Sequence, residues 1–280
     1  MLPDLQHLSY QLAKLRYCFI FFTTLRYIDV HCVNEGAHHP VHHQKTVENL
    51  VKMISQSPLL ESIRFSNSHD YSQKGTRSLH EFFECYPEST PPLRLNHLSL
   101  TNCYVRLDDE TIMRHLRHLT SLSLEHLLEP HSGYSNDSDS ISKDVLEKRN
   151  RWGSNHEQIW RTICSTDLRL EEITVDRTPS AFLEYIGSYS GLKKLKVVTR
   201  GYKDGVTSDG AAKEFYEALR KHAGSIEEMD VKACYDGLWC FGHHNLALFS
   251  TLQHLRTLSV RVRPSDFIPW HSSRKDIIVS

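Results

Sequence analysis

The densest group of metal-capable side chains in this 280-residue sequence is His38-His39-Pro40-Val41-His42-His43, which lies close to His31 and Cys32 in a chain with 19 histidines. Imidazole and thiolate are zinc ligands. Here the spacing works against a site. His38 with His42, and His39 with His43, share a face only on a helix, where Pro40 is tolerated only in the first turn. No C-x-x-C pair or further knuckle supplies the remaining ligands. The expectation is no metal, and a polar loop feeding a helix over Val47 to Ile54. Gly187-Ser188-Tyr189-Ser190-Gly191 misses the G-x-S-x-G nucleophile elbow, because Tyr189 stands where the activated hydroxyl must be. It reads instead as a helix end, with Gly191 as a conformationally free residue before the next strand. Gly201 to Gly210 lacks the endings of a phosphate loop or a dinucleotide fingerprint, and reads as a flexible connection. Asp108-Asp109 is expected to open a helix, where negative charge suits the exposed N–H groups. Trp239-Cys240-Phe241-Gly242 has two readings, a partner anchor or a core patch between repeats. The sequence predicts no catalytic residue, no metal ligand and no cofactor.

The elements that would carry these side chains follow from one pattern. The hexapeptide apolar-x-x-apolar-x-apolar occurs at Leu5-Leu8-Tyr10, Leu25-Ile28-Val30, Leu60-Ile63-Phe65, Leu95-Leu98-Leu100, Leu119-Leu122-Leu124, Leu170-Ile173-Val175, Leu192-Leu195-Val197, Ile226-Met229-Val231 and Leu255-Leu258-Val260. Its last two apolar positions are two residues apart, the strand period, so both face a core while the residues between face away. Between copies lie helical spacings: Val47, Leu50, Val51 and Ile54; Leu79, Phe82, Phe83 and Tyr86; Phe182, Tyr185, Ile186 and Tyr189; Ala212, Phe215, Tyr216 and Leu219. A short strand followed by an amphipathic helix cannot bury its apolar face alone, so the units must stack. The predicted fold is α/β: a single solenoid domain over 1–280 of about nine repeats, with a curved parallel sheet on the concave side and helices on the convex side. Repeat lengths are irregular, from 20 residues (Leu5 to Leu25) to 51 (Leu119 to Leu170). The longest gap holds a Ser-, Asp- and Asn-rich stretch at 130–155, expected to be a mobile insertion whose serines could gain charge on phosphorylation.

Leu95 to Cys103, L-N-H-L-S-L-T-N-C, matches the leucine-rich-repeat consensus L-x-x-L-x-L-x-x-N/C, and Ile226 to Cys234 matches it with Ile and Met for Leu. Position nine elsewhere holds Ser68, Thr178, Leu127, Arg200, Val33, Ala13 and Arg263, so the polar ladder usual at that turn is expected to be incomplete. This irregular array resembles the degenerate leucine-rich repeats of fungal F-box-type proteins, as does the segment Leu219 to Phe241, which runs into C-Y-D-G-L-W-C-F-G. The resemblance implies the substrate receptor of a cullin ubiquitin ligase. Its partners would be a protein client and, where an F-box function is retained, a Skp1-type adaptor and a cullin. The first copy begins at Leu5, which leaves no room upstream for an F-box of about 40 to 50 residues. A truncated or divergent repeat protein without a ligase role is the alternative, and an unrecognised enzyme a further one.

In such strands the third, fifth and seventh positions project from the concave face. They nominate Arg64, His97, Ser99, Thr101, Ser121, Ser123, Glu125, Glu172, Asp176, Lys194 and Lys196 as binding residues. Ser62, Ser66, Thr174, Glu228, Asp230 and Lys232 continue the same rows. From Glu172 to Lys232 the charge alternates between neighbouring strands, either as lateral pairs that support the sheet or as a docking strip. Thirty-three Lys and Arg against 34 Asp and Glu give a net charge of −1. That balance disfavours nucleic acid and anionic membrane as partners. The apolar run Tyr17 to Phe22 is too short to span a bilayer or to form a signal-peptide core. Seven cysteines without a C-x-x-C pair fit buried thiols in a reducing compartment. An intracellular protein, cytoplasmic or nuclear, is expected.

Overall fold

The computed structural model describes residues 7–11, 24–32, 40–67, 78–129, 155–234 and 237–262. Every hexapeptide copy forms a strand: β1 (His7–Gln11), β2 (Tyr27–Cys32), β3 (Ser62–Asn67), β4 (His97–Thr101), β5 (Ser121–Glu125), β6 (Glu172–Arg177), β7 (Lys194–Arg200), β8 (Glu228–Ala233) and β9 (Thr257–Val260). They make one nine-stranded sheet in sequence order. All eight pairings are parallel, and β1 and β9 are its two edges, so the sheet is open rather than closed into a barrel.

The hexapeptide also sets the register. Its fourth positions form one row, Leu8, Ile28, Ile63, Leu98, Leu122, Ile173, Leu195, Met229 and Leu258. Its sixth positions form a second, from Tyr10 to Val260. A slip of one residue would turn both rows toward solvent, so burial of one face locks the alignment. The rows are buried from β2 to β8. Leu258 on the edge strand is the exception at 41 % exposed, where the sequence predicts core. No described strand follows β9 to cover it.

Just before each of β2 to β8 the carbonyl at the second repeat position accepts two N–H groups of the next unit. Glu61 and Ser62 donate to Arg26, and the arrangement recurs through Thr257, which donates to Glu227 at 3.1 Å. These shared bonds extend the ladder beyond the strand ends and satisfy backbone groups that would otherwise be stranded.

Helices alternate with the strands: α1 (Pro40–Ser55), α2 (Leu79–Phe83), α3 (Glu110–Leu116), α4 (His156–Ser165), α5 (Ser180–Ser188), α6 (Gly205–Leu219) and α7 (His243–Phe249). Consecutive ones pack together, α1 on α2, α2 on α3, α4 on α5 and α5 on α6. Their starts follow local chemistry. Ser78, Asp109, Asn155 and Asp204 each accept a first-turn N–H through the side chain. Pro40 opens α1, where its fixed φ suits the first turn and its missing N–H costs nothing. Helix α1 thus begins well before Val47, replacing the expected loop over His42 and His43, while His38 and His39 lie outside the described residues. Likewise α6 starts at Gly205, so the glycines of 205–210 are helical rather than a flexible connection. Asn155 is a helix cap, and the rest of the expected insertion, 130–154, lies outside the described residues. Gly191, at φ 111°, takes the left-handed turn its position predicts.

The core between sheet and helices is filled by the predicted apolar set. Aromatic rings bridge adjacent units, with Phe65 on Phe82 at 4.8 Å, Trp160 on Phe182 at 4.9 Å and Phe215 on Trp239 at 4.9 Å. Trp239 is 1 % exposed and donates its indole N–H to the Ser208 carbonyl, so the aromatic patch around it belongs to the core. Burying such a side chain contributes about 1.5 to 3 kcal/mol.

A polar device repeats beneath the sheet. In three units a ring from the segment following the strand serves the backbone just ahead of that strand. His115 Nδ1 accepts from Leu93 N at 2.9 Å, His222 Nδ1 from Leu192 N at 3.1 Å, and Tyr185 Oη from Leu170 N at 3.0 Å. Burial depresses the pKa of His115 to about 4 and lowers that of His222, which favours the neutral acceptor form.

Candidate binding face

The side of the sheet opposite the helices carries the third-, fifth- and seventh-position side chains. Strand pairing places third positions His97, Ser121, Glu172, Lys194 and Glu228 in one row, and fifth positions Arg64, Ser99, Ser123, Thr174, Lys196 and Asp230 in a parallel row. Neighbours within a row are about 4.8 Å apart, the strand separation, so the face is a lattice of closely spaced polar side chains. Thr101 and Glu125 pair in the seventh row.

Two electrostatic regimes share this lattice. Across β3 to β5 the groups are mostly neutral hydroxyls. His97 Nδ1 and Ser121 Oγ are 2.8 Å apart, and Ser121 is only 9 % exposed. The other ring nitrogen, His97 Nε2, is buried without a hydrogen-bond partner among the described residues. Burial, and then the neighbouring Arg64 charge, hold the His97 pKa below its usual value, so the ring is neutral at pH 7. Arg64 itself extends to Asp29 at 3.5 Å and stays half-exposed.

Across β6 to β8 the charges are paired. Lys194 Nζ lies 3.2 Å from Glu172 and 3.7 Å from Glu228, and Lys196 Nζ lies 3.4 Å from Glu125. The hydrogen bond that Lys194 donates to Glu172, and then the Glu172 charge, raise the Lys194 pKa. Lys232 reaches Asp230 at 3.7 Å. The Lys194 pairs join register neighbours on adjacent strands, the geometry of the expected lateral pairs, whereas Lys232 reaches along its own strand and Lys196 reaches past β6 to β5.

Asp176 departs from its expected place. The register shifts between Val175 and Arg177, which turns the Asp176 side chain inward to 6 % exposure. There it accepts the His126 backbone N–H at 2.8 Å and helps hold that residue at φ 54°. Asp176 is therefore a turn-holding residue and no part of the open face. The polar ladder is displaced as well. Asn102, at position eight and φ 55°, donates Nδ2 to the Asn67 carbonyl at 2.8 Å, while Cys103 at position nine is buried. Cys234, expected in the same buried position, is exposed, as are Cys85 and Cys164. Cys32, Cys103 and Cys240 are buried, and none of these six is in a disulfide with another described residue.

Chemically the face can donate and accept hydrogen bonds over a broad area. Ser121 and His97 have the separation of a nucleophile and its base. Among the described residues no carboxylate orients His97 through Nε2, and the strand N–H groups that could stabilise an oxyanion are committed to the ladder. Among the described residues no group of three or more His, Cys, Asp or Glu could hold a metal ion, and no helix is long and apolar enough to cross a membrane. No protein-family profile, curated protein or solved structure matches this chain.

Proposed function

We propose that the chain is a divergent leucine-rich-repeat solenoid that binds a protein client on the open face of its sheet without chemistry, as the client-receptor part of an F-box-type ubiquitin ligase. The observation that carries this reading is the alignment of unlike repeats into continuous rows whose outward residues, from Arg64 to Lys196, are polar and share a single face. A flat array of hydroxyls, one neutral imidazole and flanking charges suits an extended protein surface, whereas small ligands are held in concave, mostly apolar sites. The repeat consensus at Leu95 to Cys103 supports the solenoid assignment.

The test is affinity capture from a fungal lysate with the parent chain and with a His97→Ala, Thr101→Ala, Glu125→Ala variant, probing for Skp1-type adaptor and cullin. Clients retained by the parent and lost by the variant are the expected result. Adaptor retained by both chains would tie the client face to a ligase. Clients without adaptor would make the chain a free-standing repeat module, and identical client capture by both chains would overturn the open-face assignment.

A further inference from the structure

The last strand leaves an apolar end that the rest of the array does not have. Leu258 occupies the inward row in which Leu195 and Met229 are at most 2 % exposed, yet it is 41 % exposed itself. Val260, the second inward residue of β9, is only half-buried. Among the described residues, three of the six exposed large apolar side chains, Leu246 on α7, Leu258 and Val262, belong to this last unit. A bare strand edge beside an apolar end invites pairing with another chain, and repeat arrays need a terminal unit that is polar outside.

The sequence that leaves this end has the pattern of an occupant. Residues 263–280, outside the described residues, read R-P-S-D-F-I-P-W-H-S-S-R-K-D-I-I-V-S. Ile277 and Val279 are two apart, the spacing of the inward pair in every hexapeptide copy. Ile277 follows Leu258 by 19 residues, close to the 20 from Leu8 to Ile28 and the 22 from Ile173 to Leu195, which are register neighbours. The 15 residues of 261–275 separate Val260 from Asp276, against the 16 of 178–193 that carry α5 between β6 and β7. A parallel crossover needs about a dozen.

We propose that residues 276–279 add a tenth parallel strand to β9, with Ile277 and Val279 extending the two inward rows over Leu258 and Val260, so that the chain covers its own open edge. The crossover then brings Phe267, Ile268 and Trp270 to the helix side, where Leu246 is exposed. Arg274 takes the position that holds Leu or Ile in the nine copies, a change that suits an outermost unit. Lys275 falls beside Arg256, an exposed pair of like charges that salt screens. Tethering favours this occupant over a second copy, because it holds the segment at an effective concentration on the order of millimolar. A β1 edge of another molecule on β9 would build an open-ended filament instead of a closed pair. The assignment goes beyond client binding and needs no client.

The test is a cysteine pair in the full chain. Ser259 and Ile278 become register neighbours in the outward fifth row, at about 4.8 Å, within the separation of about 4.4 to 6.8 Å that a disulfide spans. Ser259→Cys with Ile278→Cys, oxidised in dilute solution and mapped by peptide mass, is expected to close within one molecule about tenfold more than Ser259→Cys with Ile277→Cys, whose side chains face opposite sides. Hydrogen exchange over 255–262 is expected to speed by about tenfold in the double variant Ile277→Asp, Val279→Asp and to stay unchanged in Ile278→Asp. Equal closure of the two cysteine pairs, or exchange that the double variant leaves unaltered, overturns the tenth strand. Faster exchange in Ile278→Asp than in the double variant overturns the register. Closure between molecules, with a dimer on sizing, overturns the chain's own segment as the occupant and gives the edge to a second copy.

Discussion

The two halves of the open face are built on the same backbone and the same buried rows, yet they present opposite chemistry. Over β3 to β5 the outward groups are mostly hydroxyls, Ser62, Ser99, Ser123 and Thr101, with Arg64, His97 and Glu125 among them, and one nitrogen of that imidazole has no partner among the described residues. Over β6 to β8 every lysine in the rows already has a carboxylate within 4 Å. A group satisfied inside its own sheet gains little from a partner, since a new contact must first break the old one. The neutral half is thus the better surface for a client, and the charged half is better explained as self-support.

The largest expected effect shows that this contrast is confined to the open side. Leu98→Ala under the neutral half and Leu195→Ala under the charged half should each cost about 2 to 5 kcal/mol in urea unfolding, because both are buried at equivalent positions of one core. A cost near zero at either site would mean that the halves differ in packing as well as in surface.

The helix side offers a matched pair with a pH signature. His115 beneath β4 and His222 near β7 are both held neutral, His115 with a pKa near 4 against an ordinary 6.5. The folded state binds fewer protons than the unfolded chain between those values, so stability is complete above pH 6.5 and falls as the pH drops toward 4. The His115 share of that loss is on the order of 2 kcal/mol. Thermal unfolding across this window should show the decline, and His115→Gln should flatten it. An unaltered slope in that variant would remove His115 as its source.

The smallest effect lies in the charged half. A double-mutant cycle on Glu172 and Lys194 should give a small favourable coupling that fades in high salt. The corresponding cycle on Ser99 and Ser123 should give none. Coupling in the hydroxyl pair equal to that of the charged pair would erase the distinction.

The strands, their order and their inward rows were legible because the period of two, recurring with small variation, leaves little freedom once one face is buried. Most outward residues followed from the same alternation. Asp176 did not, because one shifted residue after Val175 inverts its side, and nothing in V-D-R-T marks the shift. The ring-to-backbone bonds of His115, Tyr185 and His222 were invisible for another reason. They close units of different length, 20, 15 and 30 residues after Leu95, Leu170 and Leu192, so no fixed spacing exposes them. Pro40 could have been read as a helix start, since a proline belongs in the first turn, yet between His38 and His42 it reads only as a break.

Site-specific photo-crosslinking tests the central claim most directly, with a benzophenone side chain placed at Ser123 in the neutral half or at Asp230 in the charged half, and the captured client quantified from each. The account predicts a client adduct from position 123 that is several-fold stronger than that from 230 and is lost in the His97→Ala, Thr101→Ala, Glu125→Ala background. Equal or greater capture from 230 would contradict it.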